Sequence, residues 1–438
     1  MDPLKQKFAD KSQALRTEVK SLLKAHGGQK VDEVTLKQVF GGMRGVKSMI
    51  WETSQLDSID GIRFRGHSIP ELRDKLPKVP GGKEPLPEGL FWLMLVGEVP
   101  TDDQVKWLTD QWTNRSNVPN HVFKALDAMP KDTHPMTQFN LAISAMQTES
   151  VFSRRYAEGL NKGQYWDATY EDAMNLIARL PRVAAYIYRR TYHDGKHIAP
   201  DISLDWGGNF AHMLGIEGED FKSFMRLYLT IHADHEGGNA SAHATHLVGS
   251  TLSDAYHAFS GGMHALAGPL HGLANQEVIK WIFKMLDTLG TRRPSKSQII
   301  DYVNSTLAAG QVIPGYGHAV LREPDPRFIA QKRFAEEYTS DSEIINVVWQ
   351  CFEVIPPILK GLGKVKNPWP NVDAHSGAIL VNYGLTEYSY YTVLFGVSRA
   401  LGVLSALCWS RALGLPLERP KSVTTAWVLD HLKSEGLT

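Results

Sequence analysis

The longest apolar stretch of the chain, from Tyr390 to Leu417, carries Ser398 and Arg399 near its middle. A run of this length can cross a bilayer or pass as one helix through the centre of a large core. An arginine at the middle of a membrane span costs about 2.5–3.5 kcal/mol on insertion scales. The stretch is therefore read as a buried helix of a soluble protein, with no membrane insertion, and a buried guanidinium that needs a reason. A core able to enclose it is available, because the chain has 438 residues, about three times an ordinary domain length.

Helical periodicity dominates the rest. Leu4, Phe8, Leu15, Val19, Leu22 and Leu23 mark one face of an opening helix that Gly27-Gly28 stops. Thr101 with Gln104, and Ser295 with Gln298, have capping-box spacing; the second helix runs to a stop at Gly310. Pro135 stands where a first-turn proline belongs. The segments 171–192, 220–232, 274–289, 341–362 and 390–415 also read as helices. Strand signal is confined to residues 45–70, where Met49-Ile50-Trp51 precedes Asp60-Gly61 and the alternating Ile62-Arg63-Phe64-Arg65. The predicted class is all-α with a minor β-ribbon. No Gly/Ser/Pro-rich linker separates domains, so any second domain is inserted or closely packed.

Equal numbers of cations and anions, 47 Lys and Arg against 47 Asp and Glu, remove the broad positive field that nucleic acid or an anionic membrane would require. Anion sites must then be local. Two cysteines, Cys351 and Cys408, exclude a disulfide scaffold and a cysteine-rich metal centre. Residues His232, His235, His243 and His246 have a spacing that invites a zinc reading, but no cysteine is near and no His-Glu-x-x-His occurs. No metal is predicted. Most of the four read as helix-end histidines satisfied by backbone carbonyls, and one as a substrate donor beside the Gly237-Gly238 turn. A nucleophile elbow, a P-loop and a dinucleotide fingerprint are all missing.

Three turns of small residues remain, each holding an ionisable group: Gly268-Pro269-Leu270-His271-Gly272, Pro314-Gly315-Tyr316-Gly317-His318, and Asn371-Val372-Asp373-Ala374-His375-Ser376-Gly377. Two histidines and a carboxylate, with Arg322, Arg327 and Arg399 in the same chain, suit proton transfer next to a carbonyl in an anionic substrate.

At these residues, and in Leu229-Thr230-Ile231-His232-Ala233-Asp234-His235-Glu236-Gly237-Gly238-Asn239 and Tyr391-Thr392-Val393-Leu394-Phe395-Gly396-Val397-Ser398-Arg399-Ala400, the sequence resembles the citrate synthases, specifically the eukaryotic mitochondrial type. The resemblance runs from about Phe40 to Ser422. It implies a multi-helical homodimer, with a large domain formed by residues 1–273 and 380–438 and a smaller mobile domain, 274–379. It implies condensation of acetyl-CoA with oxaloacetate through an enolate, then hydrolysis of citryl-CoA to citrate and CoA, with no cofactor. By resemblance Asp373 is the base, His271 the donor to the enolate oxygen, and His318 the donor to the oxaloacetate carbonyl. His235, Arg327, Arg399 and Arg419 match the oxaloacetate contacts, Arg419 coming from the partner subunit. Arg44, Lys162 and Arg322 match CoA phosphate contacts; Val312, Ile313, Gly315, Tyr316, Lys364, Lys366 and Asn371 match the adenine pocket.

Departures bear on the acyl group. His264-Ala265 stands where the family usually reads Asn-Gly, and Ala240 where Val is common, so a 2-methylcitrate synthase using propionyl-CoA is the alternative. A catalytically idle paralogue is disfavoured by the presence of His271, His318 and Asp373. The resemblance further implies the mitochondrial matrix. The start, Met1-Asp2-Pro3-Leu4, shows no signal or transit segment and the end lacks a peroxisomal Ser-Lys-Leu.

Overall fold

A computed structural model describes residues 2–363 and 365–437. Twenty α-helices account for most of them, with one three-stranded antiparallel sheet. The all-α expectation holds, and the local signals act where the sequence places them. The opening helix Pro3–His26 ends at Gly27. Both expected capping boxes form, at Thr101 and Ser295, each side chain accepting from the backbone N–H three residues on. Pro135 opens the helix Pro135–Ala145.

The apolar run forms the helix Tyr391–Leu413, ended by Gly414 in the left-handed conformation at φ 72°. Its apolar window is wholly buried inside the protein. It packs along the 28-residue helix Tyr165–Tyr192, the apolar Pro87–Val96 and the opening helix. Pro181 stands inside the helix Tyr165–Tyr192 and cannot donate to the Ile177 carbonyl. Trp206 Nε1 donates to that carbonyl instead, at 3.0 Å, so the buried oxygen is not orphaned.

The ribbon comprises Ser54–Asp57, Gly61–Phe64 and His67–Ser68, with Ser54 opposite Phe64 and Asp57 opposite Gly61. Asp57 Oδ1 closes the turn by accepting from Ile59 N and Asp60 N, and Gly61 takes φ 77°. Met49-Ile50-Trp51 is not a strand, contrary to expectation. Trp51 Nε1 donates to Asp234 Oδ2 at 2.9 Å, Met49 and Trp51 lie over Gly237, and Ile50 is exposed. Their apolar character serves contact with a distant turn.

Candidate active site

The first wall of the site is the turn after the helix Glu219–Ile231. His232 Nδ1 donates to the Tyr228 carbonyl at 2.9 Å. Asp234, fully buried, accepts from Trp51 Nε1, Thr53 Oγ1 and Ser54 Oγ through Oδ2, and from His235 N through Oδ1. This one carboxylate ties the ribbon to the turn. A Cβ on Gly237 would come within 2.6 Å of Met49 Sδ, so glycine permits the close approach. Asn239 caps the helix Ala240–Ser250, its Oδ1 accepting from Ala242 N at 3.1 Å, while its Nδ2 donates to the His235 and Glu236 carbonyls.

The turn rests on the helix Tyr391–Leu413 because Gly402 has no Cβ to strike the Ala233 carbonyl. One helical turn before Gly402, Arg399 is 1 % exposed. Its Nε donates to the His232 carbonyl at 3.2 Å, and its Nη1 to Asn239 Oδ1 at 2.8 Å and Ser241 Oγ at 3.0 Å. The guanidinium also lies over the Phe395 ring, 4.8 Å from its centroid. Here is the reason for an arginine in an apolar helix: it is hydrogen-bonded into a site.

On the second wall two loops are zipped together. Gly315 and Gly317 have φ 80° and 97°. Gly317 N donates to the Trp369 carbonyl, Asn371 N to Gly315, and Asn371 Nδ2 to Gly317. His318 Nδ1 accepts from Val320 N at 3.0 Å and Leu321 N at 3.1 Å. In the neutral ring the proton must therefore sit on Nε2. Asp373 opens the helix Asp373–Asn382, where the helix N-terminus favours its charge, and its own N–H is held by Asn371 Oδ1 at 3.0 Å. Arg327 is buried and fixed by Asp325, which accepts from Nη2 at 2.6 Å and from Nε at 3.0 Å.

His271 lies between the walls. Its Nε2 accepts from Ser241 N at 3.2 Å, which leaves Nδ1 as the protonated nitrogen. A cavity of about 230 Å³ is lined by His235, His271, His318, Arg327, Asp373 and Arg399, with Asn239, Asn371, Phe395 and other side chains completing it. The rings of His235 and His318 meet edge to face at 5.3 Å. His235 Nε2 is buried and has no hydrogen-bond partner.

Burial sets the protonation states. It lowers His271 to about 3, helped by Arg399, and His318 to about 4, helped by Arg327. His235 is held well below its usual value by burial and then Arg327. Asp373 is pushed up to about 7 by burial, against the pull of Arg327 and Arg399. At neutral pH the cavity offers uncharged imidazoles that can donate hydrogen bonds, two guanidiniums, and a carboxyl poised to exchange a proton.

The family model "Citrate synthase, C-terminal domain" matches residues 42–421. The chain belongs to the citrate synthase family. It is 55 % identical over 418 residues to the mitochondrial citrate synthase of Daucus carota, covering 95 % of this chain and 88 % of that protein. It is 54 % identical over 423 residues to the mitochondrial citrate synthase of Xiphias gladius, covering 96 % of this chain and 90 % of that one. Nothing in these names supports the 2-methylcitrate alternative. Among solved structures, citrate synthase from Pyrobaculum aerophilum shares the fold with a TM-score of 0.77 at 23 % identity, covering 91 % of this chain and 95 % of that one. The ternary complex of carboxymethyl coenzyme A and oxaloacetate with citrate synthase from Thermoplasma acidophilum matches with a TM-score of 0.74 at 22 % identity, covering 88 % and 95 %.

Of the residues that resemblance to citrate synthases singles out, His235, His271, His318, Arg327, Asp373, Arg399 and Asn371 line one cavity. Tyr316 pairs with Pro370 in an isolated bridge, the Gly315 carbonyl accepts from the N–H of the cavity-lining Asn371, and Ile313 is buried. Arg44, Lys162, Lys366, Val312 and Arg419 are exposed and do not line that cavity. Arg322 is exposed too, its Nη1 donating to the Val320 and Leu321 carbonyls at 2.7 Å each. Lys364 lies outside the described residues. Among the described residues no group of three or more His, Cys, Asp and Glu could hold a metal. Of the four clustered histidines, only His232 bonds a backbone carbonyl through its ring, a correction to the expectation for most of them. His243 and His246 instead face Glu418, at 2.8 and 3.7 Å.

Sequence reasoning did not single out Asp234, Asn239, Ser241 or Asp325. Asn239 and Asp325 stand at helix N-caps, Asp325 just ahead of a first-turn proline, so capping signals beside the motifs pointed to them.

Proposed function

We propose that this cavity condenses acetyl-CoA with oxaloacetate and hydrolyses the resulting thioester to citrate and CoA, with Asp373 as base and His271 and His318 as hydrogen-bond and proton donors. A thioester methyl proton is far too weakly acidic for a carboxylate alone. Its removal requires stabilisation of the developing enolate oxygen in the same step. His271 suits that task because burial keeps its imidazole neutral, and a neutral imidazole can share Nδ1–H with the oxygen without the cost of a buried imidazolium. His318, with the proton on Nε2, serves the ketone oxygen as the new carbon–carbon bond forms. Arg327 and Arg399 are planar forks for the two carboxylates of oxaloacetate, and the unpartnered Nε2 of His235 faces its keto oxygen.

The remaining assignments complete the reading. Arg419 of a second copy supplies a third cation in a homodimer. Arg44, Lys162 and Arg322 contact CoA phosphates, and the loops holding Val312, Ile313, Gly315, Tyr316, Lys364, Lys366 and Asn371 enclose the adenine. Residues 274–379 form a smaller unit that closes on residues 1–273 and 380–438, shutting out water between condensation and hydrolysis. No cofactor is required, since base and donors are side chains. The relatives' mitochondrial names favour the mitochondrial matrix.

The observation that carries the reading is one cavity holding both a neutral His271, its Nε2 occupied by Ser241 N–H, and an Asp373 pushed up to about 7. Asp373→Asn keeps the shape and removes the base. Its turnover should fall about 10³-fold, while oxaloacetate affinity by calorimetry stays within about twofold. Turnover near the parent value would refute the assignment.

A further inference from the structure

We propose that His243 and His246 clamp Glu418 and thereby position Arg419, the next residue, for the cavity of the partner subunit. This rests on the reading of Arg419 given above. The two histidines are three residues apart on the helix Ala240–Ser250 and so share a face. The same helix begins at Asn239, whose Oδ1 holds Arg399. One rigid element therefore carries at its start the residue that holds Arg399 and, further along, the clamp.

Glu418 is held by two hydrogen bonds and lies within ion-pair distance of a third group. Its Oε1 lies 2.8 Å from His243 Nε2. Its Oε2 is buried, has no hydrogen bond, and faces His246 Nε2 at 3.7 Å. Its backbone N–H donates to Ser250 Oγ at 3.1 Å. Upstream, the left-handed Gly414 ends the helix and Leu415 N returns to the Ser410 carbonyl, which sets the chain's exit toward this contact. Arg419 follows directly, exposed, with no ion pair among the described residues. Neither histidine lines the cavity. Both are positioning residues. A long arginine on a loose segment must lose its freedom on meeting a carboxylate; fixing the preceding residue removes part of that cost beforehand.

The test is a double-mutant cycle of Glu418→Ala and Arg419→Ala, read as KM for oxaloacetate and for acetyl-CoA. Glu418→Ala should raise the KM for oxaloacetate about five- to tenfold, the scale of one lost charge-assisted hydrogen bond, and leave that for acetyl-CoA within about twofold. In the Arg419→Ala background it should add nothing, because it acts only through Arg419. Glu418→Gln, whose amide oxygen still accepts from His243, should recover most of the loss. A Glu418→Ala effect of equal size in both backgrounds overturns the clamp, as does no effect of Glu418→Ala beside a large effect of Arg419→Ala. No effect of Arg419→Ala overturns the cross-subunit reading itself, and the clamp with it. Should Glu418→Ala fail to assemble, His243→Ala deletes the other end of the 2.8 Å contact and completes the same cycle.

Discussion

The end of the cavity proposed for oxaloacetate and the surface carrying Arg44, Lys162 and Arg322 both offer cations, under opposite physical conditions. Arg327 and Arg399 are 4 % and 1 % exposed, and each is fixed by partners that the fold supplies: Asp325 for one, the His232 carbonyl, Asn239 and Ser241 for the other. A buried guanidinium without such partners would be prohibitively costly, so burial enforces preorganisation. The three outer cations stand in water, where attraction is screened beyond about 8–10 Å at ordinary salt. On the proposed reading, recognition of a small dicarboxylate rests on geometry, and attraction of a large polyanion rests on charge.

The largest effect on binding should follow from spoiling the buried geometry while keeping its charge. Arg399→Lys retains a cation but cannot donate from one planar group to Asn239, Ser241 and the His232 carbonyl while still facing a carboxylate. The KM for oxaloacetate should rise about 10²-fold, the loss of two charged hydrogen bonds, with that for acetyl-CoA nearly unchanged. Equal rises in both would erase the contrast between the two ends.

A second effect tests how burial tunes the proposed base. Asp373 must be ionised to accept a proton and is pushed up to about 7, whereas His271 and His318 remain neutral down to about 3 and 4. The kcat/KM should therefore fall about tenfold per pH unit below 7, with the slope of a single proton; a slope of two would implicate a histidine. The sign for stability is the reverse of a salt-bridged carboxylate. A folded-state value above the unfolded one means that the folded chain binds more protons between about pH 4 and 7, so this group's contribution is full below about 4 and is lost as pH rises through 7. Asp373→Asn should consequently melt higher than the parent at neutral pH, even as activity disappears.

The buried end is also where the sequence was most legible. Arg399 in an apolar run announced a buried charge with a purpose, and the glycines around His271, His318 and Asp373 announced fixed turns with space beside them. Capping boxes at Thr101 and Ser295 were readable because a helix start needs its partner only three residues away. What escaped depends on contacts across long separations. Trp51 reads as strand by its own character, but its indole serves Asp234, 183 residues on. Ser241 matters through its backbone N–H on His271, which no side-chain pattern advertises. Family resemblance supplied candidate outer cations, but their exposed side chains carry no local signal that separates a ligand contact from an ordinary solvated face.

Those outer cations should show the smallest effects. Lys162→Ala and Arg44→Ala each remove one exposed charge, and each should raise the KM for acetyl-CoA about two- to fivefold at low salt, an effect that fades toward about 0.5 M salt as screening takes over. Arg322 is a different case among the three. Its guanidinium already donates to the Val320 and Leu321 carbonyls, in the loop whose backbone holds His318 through Val320 N and Leu321 N. Removing it should loosen His318 as well as weaken CoA binding. Arg322→Ala should therefore lower kcat about two- to threefold, roughly the loss of one modest hydrogen bond, and that part of the effect should persist at high salt. A purely salt-sensitive Arg322→Ala defect would return this residue to the same footing as Arg44 and Lys162.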